Sequence, residues 1–444
     1  MTDNNTLQDR LSTWKEIAVY MDCDVRTCQR WERKLGLPVH RLDPDSFKTR
    51  VFAYKNELDE WLQKDLRTKS SLINIRRKKA KYFYLLIPAA LLFLILFLNM
   101  NPGSSVPFNF DIKGSSLLIL NEKNSKLWSY DTGLSNLCSE EIYRDRFQEK
   151  RRNASMDRYS IPYLIIKDLD RDGKKEVLFT TQTRDERKEG LLICLDHRGN
   201  KLWEFKTGKA LKFGTVSYSS DYRISGIDVY DIDGNGSMEI IVISTNRYFF
   251  PSQLVILNST GELVGEFWNS GYLMDYCFAD LNRDKGVELI VSGMNNEYNT
   301  GCIMVFDPND IWGASPQSGE YLCQDLKPGS EKYYILIPPT DVENCIRLRN
   351  TIDAIDILNN QIISVKSGIG QIYYELNFDL ELVNVNYSDD FEKMHKKYLS
   401  ENKITSKLDK DYKAHLMKRL LYYDGQKWVS HPTAAKPNYP APSR

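Results

Sequence analysis

Several kinds of residue and motif are scarce in this 444-residue chain. It has only five histidines and no net charge, with 60 Lys and Arg against 60 Asp and Glu. No GxSxG, HExxH or phosphate-cradling glycine loop occurs, so the usual signatures of a serine hydrolase, a zinc protease or a nucleotide enzyme are missing. Three of the five histidines, His395, His415 and His431, fall in the C-terminal region, and His197 sits in a turn-like LDHRGN. These absences argue against an enzyme. The eight cysteines include no CxxC pair, which excludes the common zinc and redox spacings. Cys194 in LLICLD and Cys302 in GCIMVF lie in apolar, strand-like runs. Buried thiols and disulfides remain equally open there.

The zero net charge hides an asymmetry. Residues 1–81 hold 18 Lys and Arg against 12 Asp and Glu, and the remainder holds 42 against 48. The two pieces meet at RRKKAKYFYLLIPAALLFLILFLNM, residues 76–100. From Tyr82 to Met100 no residue is charged. Nineteen helical residues would reach about 28 Å, near the hydrocarbon thickness of a bilayer. A buried helix of a soluble core is the competing reading, but such helices usually carry a polar face. A basic linker over 64–81 and a transmembrane helix over 82–100 are therefore expected. The positive-inside rule then puts the N-terminus in the cytoplasm and the larger part outside.

The N-terminal part reads as a small helical domain over 11–63. Thr13 with Glu16 has the form of a capping box, predicting a helix from Trp14 to about Met21. Asp24 caps a second helix from Val25 to about Lys34, which Gly36 stops. Arg26, Thr27, Gln29, Arg30 and Arg33 share its outer face, and Arg and Gln suit bidentate contacts to base edges. LPVHRL and TRVFAY predict two strands joined by the polar loop DPDSFK, a small wing whose Lys48 and Arg50 could hold phosphates. A last helix is expected over 56–62. In TWKEIAVYM, VRTCQRWER, LPVHR and VFAYKNELDEWL this segment resembles the MerR/excisionase-like winged helix-turn-helix family. The resemblance implies DNA binding through the second helix and the wing.

The larger part carries a repeat. DLDRDGKKEVLF (168–179), DIDGNGSMEIIV (231–242) and DLNRDKGVELIV (280–291) start 63 and then 49 residues apart. Each places side-chain oxygens at positions 1, 3 and 5 and a Glu at position 9, then enters a β-branched run. Alternate oxygens in a tight loop converge on one point, which suits a hard cation such as Ca²⁺. An EF-hand needs its Glu at position 12 and a helix next, so this is a different loop. A second theme, a strand pair, recurs in LLILNEKNSKLWSYDTG, LLICLDHRGNKLWEFKTG and QLVILNSTGELVGEFWNSG. A period near 50–60 built of short strands is the mark of propeller blades. GQIYYELNFDLELVNVNY and LLYYDGQKWV add strand pairs without acidic loops, and two helices are expected between them.

These repeats resemble the FG-GAP/VCBS family of β-propellers. The resemblance implies a propeller over 108–430, which at about 45–60 residues per blade holds five to seven blades, and the Pro-rich tail over 431–444 reads as disordered. The resemblance also implies structural calcium ligands at Asp168, Asp170, Asp172 and Glu176, at Asp231, Asp233, Asn235 and Glu239, and at Asp280, Asn282, Asp284 and Glu288. The third loop departs from the family pattern, because Lys285 takes the usual glycine position.

The expected fold class is thus multidomain: a winged helix-turn-helix, one transmembrane helix and an all-β propeller. The expected function is a single-pass, DNA-binding transcription regulator of the bacterial inner membrane, whose calcium-bound propeller meets an external protein or glycan. Helix-turn-helix proteins usually read two half-sites as dimers, so dimerisation through the span or the propeller would be an easy switch and a homodimer is one form open to it. The alternative is a membrane-anchored adhesion or scaffold propeller whose inner domain binds protein.

Overall fold

A computed structural model describes residues 9–41, 50–64, 104–144, 161–184, 190–247, 250–346, 349–368 and 371–435. The chain divides into two compact units, Met1–Pro102 and Gly103–Arg444. In the first, strand β1 (Arg10–Leu11) is followed by helices α1 (Trp14–Tyr20) and α2 (Val25–Leu35). Strands β2 (His40–Arg41) and β3 (Val51–Tyr54) then lead into α3, residues 55–64. The central β3 pairs with both β1 and β2.

Local chemistry sets these helix ends. The Thr13 hydroxyl accepts the Glu16 N–H at 3.2 Å. Glu16 reaches back one residue further than expected, accepting the Ser12 N–H at 2.7 Å. Asp24 accepts the Thr27 N–H at 3.0 Å, and Gly36 ends α2 in the left-handed region at φ 67°. Ile17, Ala18, Cys28, Val51, Ala53 and Leu58 form a small core beneath the helices.

The expectation of a single-pass membrane protein is corrected here. Among the described residues no helix is long and apolar enough to cross a membrane. The apolar segment 82–100 lies outside the described residues, as do residues 65–81 of the basic linker and 436–444 of the tail. Window hydropathy states what a helix would bury once formed; it does not supply the helix.

The second unit is mostly β, built of many small sheets. The first is β4 (Asn109–Lys113), β5 (Ser116–Leu120) and β6 (Lys126–Asp131), with helix α4 (Glu140–Arg144) beside it. The second is a four-stranded meander: β7 (Leu164–Lys167), β8 (Glu176–Thr180), β9 (Leu191–Leu195) and β10 (Lys201–Lys206). A two-stranded pair, β11 (Leu211–Phe213) and β12 (Val216–Tyr218), leads to the third sheet. That sheet holds β13 (Tyr222–Tyr230), β14 (Glu239–Asn246), β15 (Ser252–Leu257) and β16 (Leu263–Asn269). The fourth starts with β17 (Leu273–Ala279), β18 (Glu288–Asn295) and β19 (Thr300–Phe306). Strand β20 (Trp312–Ala314) then returns to pair in parallel with β16, and β21 (Tyr333–Ile337) extends the fourth sheet.

A short helix, α5 (Asp341–Cys345), leads to the fifth sheet: β22 (Ile352–Leu358), β23 (Ile362–Ser367), β24 (Ile372–Asn377) and β25 (Leu382–Tyr387). Helices α6 (Asp389–Ser400) and α7 (Lys410–Met417) follow. The chain closes on β26 (Leu421–Tyr423) and β27 (Trp428–Val429), which complete the fourth sheet beside β21.

The sheets pack in chain order. One apolar cluster joins the first and second sheets through Phe110, Ile119, Leu164, Val177 and Ile193. The next joins second to third through Ile165, Leu178, Ile227 and Val242. A third joins third to fourth through Ile241, Leu254, Leu289 and Met304. The fourth joins the fourth sheet to the fifth and to α6 and α7 through Ile303, Ile335, Val365, Phe391 and Tyr412. Every residue of β15, β18 and β19 is buried. Such strands have no solvent face, which is why their sequences read as continuous apolar runs instead of alternating ones. Among the described residues no sheet closes on itself, and no apolar cluster joins the fifth sheet back to the first.

A tryptophan hydrogen bond reinforces two of these junctions. Trp128 of β6 donates its Nε1–H to the His197 carbonyl in the β9–β10 turn, at 2.9 Å. Trp203 of β10 donates to the Ser259 carbonyl in the β15–β16 turn, at 3.1 Å. Each ring lies flat against a turn glycine. A Cβ on Gly199 would sit 2.7 Å from the Trp128 ring, and one on Gly261 would sit 2.5 Å from the Trp203 ring. Gly199 and Gly261 also hold φ of 90° and 83°. The KLW of both repeated segments is therefore a link to the next sheet.

All eight cysteines are free thiols, and four of those in the second unit, Cys138, Cys194, Cys302 and Cys323, are buried. Trp203→Phe keeps an aromatic side chain but loses the hydrogen bond and part of the indole's packing, so it is expected to destabilise the second unit by at least about 1 kcal/mol. Gly261→Ala adds a strained φ and a ring clash and should cost more than that. Urea unfolding followed by tryptophan fluorescence checks the order.

Candidate metal centre

The three acidic loops occupy one place in the meander, between the first and second strands of the second, third and fourth sheets. Their register is the same. Lys167 pairs with Glu176, Tyr230 with Glu239 and Ala279 with Glu288. The position-9 glutamate is thus the first residue of the second strand in each case. Its carboxylate turns back and accepts the N–H of loop position 2. Glu176 accepts from Leu169 at 2.9 Å, Glu239 from Ile232 at 2.9 Å and Glu288 from Leu281 at 3.0 Å. That bond ties the loop's start to its end and aims the carboxylate inward.

In the first loop Asp168 Oδ2 accepts the Gly173 N–H at 3.0 Å, and Asp170 accepts the Asp172 N–H at 3.1 Å. Arg171 and Gly173 take left-handed φ of 65° and 82°, which curls the backbone around the side chains. Asp168, Asp170 and Glu176 bring one carboxylate oxygen each within 4.8 Å of one another. Burial, then the charges of Asp170, Asp172 and Asp168, push the Glu176 carboxyl up. Asp172 turns away and takes the Lys174 ammonium at 2.6 Å.

The second loop repeats this arrangement. Asp231, Asp233 and Glu239 converge within the same 4.8 Å limit. Asn235 accepts the Ser237 N–H at 2.7 Å and is itself tied to Asp233. Burial and then Asp233 raise the Glu239 carboxyl. One link joins the two loops. Arg171 donates to the Asn235 carbonyl at 2.6 Å and lies 3.7 Å from Asp231. Gly236 leaves it room, since a Cβ there would fall on the guanidinium.

The third loop differs. Asp280, Asn282, Asp284 and Glu288 are all present, but they satisfy one another. Asn282 donates to Asp284 at 2.9 Å and to Glu288 at 3.2 Å. Lys332 places its ammonium 3.2 Å from Glu288 and 3.9 Å from Asp307. A lysine charge thus stands beside the position-9 glutamate, whereas among the described residues Glu176 and Glu239 have no ion-pair partner. Lys285, at the usual glycine position, is forced to φ 77°. The structure does not bring these residues together as an acidic triad.

The donor set of the first two loops fits a hard cation. Asp168 Oδ1 and Asp231 Oδ1 are buried with no hydrogen-bond partner. A buried carboxylate oxygen without a partner is costly, and both orphans belong to the position-1 residue of a converging triad. Ca²⁺ draws its ligands from carboxylate and carbonyl oxygens of this kind.

The residues expected to contact DNA lie in the first unit. Arg26, Arg30 and Arg33 are exposed on α2, Thr27 and Gln29 are half-buried, and Arg50 is exposed at the start of β3. Thr27 is used in capping, donating its hydroxyl to Asp24 at 2.6 Å. Lys48 lies outside the described residues.

A family model described as FG-GAP-like repeat matches residues 168–242, the span from the first acidic loop into β14. No curated relative matches the chain. A Bacteroides caccae protein of unknown function is 13% identical over 64% of this chain and 74% of its own, with a TM-score of 0.27. The Dos1 propeller is 10% identical over 62% of this chain and 65% of its own, with a TM-score of 0.29. The V. cholerae biofilm matrix protein Bap1 is 15% identical over 56% and 40%, at 0.21. Superpositions this loose carry no argument about function.

These findings overturn the reading as a membrane-anchored, DNA-binding regulator, and with it the membrane-anchored scaffold and the inner-membrane location. The matched repeat belongs to the β unit and does not reach α2. No described helix is long and apolar enough to span a bilayer. What the sequence missed in the β unit is the basic partners. Arg171 is a loop residue between two aspartates, and Lys332 lies 44 residues from Glu288. Neither spacing is a recognisable signal. Calorimetric titration of chelator-stripped protein with Ca²⁺ should show two sites. Asp168→Asn and Asp231→Asn should each remove one, and Asp280→Asn should leave both.

Proposed function

We propose that the second unit is an FG-GAP-type, propeller-like binding domain stabilised by calcium at its first two acidic loops, and that it recognises a partner instead of catalysing a reaction. The observation that carries this reading is the pair of converging triads, each with an orphaned, buried aspartate oxygen. Asp168, Asp170 and Glu176 hold one cation, and Asp231, Asp233 and Glu239 hold the other. The cations are structural. Each neutralises carboxylates that burial and mutual repulsion make costly, and fixes the turn between two buried strands.

The paired loops lie between adjacent strands of neighbouring sheets, with Arg171 bridging them. Such a cluster stiffens one edge of the domain. A rigid array of sheets with loops gathered at their ends is a common platform for recognition. The chain's few histidines fit the same reading.

Calcium at one hundred times its dissociation constant should stabilise the unit by about 2.7 kcal/mol per site. Thermal unfolding of the full chain in chelator and in excess CaCl2 measures this. A clear upward shift that Asp168→Asn and Asp231→Asn each reduce supports the proposal. An identical melting curve in both buffers would falsify it.

A further inference from the structure

Away from the acidic loops, a cavity of about 120 Å³ opens beside the segment that joins β20 to β21. Its walls include Leu322, Leu326, Pro328 and the Tyr423 ring. Ser315 and Gln317 also line it, but both are engaged. The Ser315 hydroxyl accepts the Ser270 N–H at 2.9 Å, and Gln317 Oε1 accepts the Cys323 N–H at 3.0 Å.

The acidic wall is Glu331. It is only 4% exposed, and its Oε2 is buried with no hydrogen-bond partner. Among the described residues no Lys or Arg lines the cavity. The next residue, Lys332, is committed to Glu288. Gly329 makes the room: a Cβ there would sit 2.0 Å from Glu331 Oε2. The carboxyl is therefore housed by the backbone and left without a counter-charge.

A buried carboxyl in such a place stays protonated unless a cation reaches it. Burial pushes the Glu331 carboxyl up to about 8. Its titratable neighbours, Tyr334 and Tyr423, are raised by their own burial and remain neutral. An aromatic wall such as Tyr423 suits a cation, and the Leu and Pro walls favour a short alkyl chain. Leu322, in the lining, is 42% exposed.

We propose that this cavity binds a small organic ammonium ion, with Glu331 as its counter-ion, Tyr423 as its aromatic wall, and Leu322, Leu326 and Pro328 around the alkyl chain. The proton leaves the Glu331 carboxyl for solvent as the ammonium takes its place, so no net charge is buried. Binding strengthens as pH rises toward 8, because fewer protons then compete with the ammonium for the carboxylate.

The test is calorimetric titration of the full chain with n-butylammonium chloride at pH 7, in two buffers of different ionisation enthalpy. Saturable binding with release of about one proton per site is expected. Glu331→Gln keeps the size and the neutral state of the folded protein, so it should fold normally. It should weaken binding at least about tenfold. n-Butanol, which has the chain and no charge, should also bind at least about tenfold more weakly. Leu326→Trp fills the cavity from a second wall and should abolish binding while Glu331 stays intact. The proposal is overturned by lack of saturation up to about 100 mM, by equal binding to Glu331→Gln, or by n-butanol binding as tightly as the ammonium. The last outcome would mean that the protonated carboxyl donates to a neutral ligand. Calcium titration is separate from all of these arms, so failure here leaves the acidic loops untouched.

Discussion

The second unit depends on the burial of both faces of its central strands. β15, β18 and β19 have no exposed residue, so the third and fourth sheets are not stable by themselves. Each needs a neighbour on either side, and the apolar clusters show that the neighbour is the next sheet in the chain. Stacking in chain order keeps most contacts local, as in repeat architectures. The tryptophan links of β6 and β10 follow the same direction, each reaching forward to the turn of the following sheet. Apolar burial supplies the drive. The Trp–carbonyl bonds and the glycines beneath the rings fix how far one sheet slides over the next.

The acidic loops are set by that frame. A loop that leaves one buried strand and enters another has little freedom at its ends. The position-9 glutamate uses this, because as the first residue of the second strand it can reach only the loop's own start. The cost is a carboxylate held among other carboxylates in a half-buried turn. Three loops share the design and two solutions appear. The first and second leave converging oxygens and an orphan apiece. The third brings in Lys332 from β21's approach and needs nothing further. That segment also carries Glu331, so consecutive residues serve two different sites. Lys332 neutralises a carboxylate, and Glu331 is a carboxylate left unneutralised.

Much of the local structure was legible. Thr13, Asp24 and Gly36 announced the ends of α1 and α2 because capping is a contact over three or four residues. The acidic loops were legible for the same reason: positions 1, 3, 5 and 9 meet within one turn and its exit. The KLW repeat was legible as a strand but not as a link, since its partners His197 and Ser259 lie 69 and 56 residues on. The apolar run at 82–100 shows the limit from the other side. Its composition suggested a membrane span, and composition alone does not establish one.

The sequence by itself determined the repeat, its phase and the loops that carry the carboxylates, since these follow from side-chain alternation and turn chemistry over a dozen residues. Only the tertiary structure decided which carboxylates converge. It pointed Asp172 at Lys174, laid Arg171 across the second loop, brought Lys332 to Glu288 and left Glu331 alone in its cavity. Charge neutralisation acts through space over a few ångströms, and the chain brings those charges together only when the sheets have stacked.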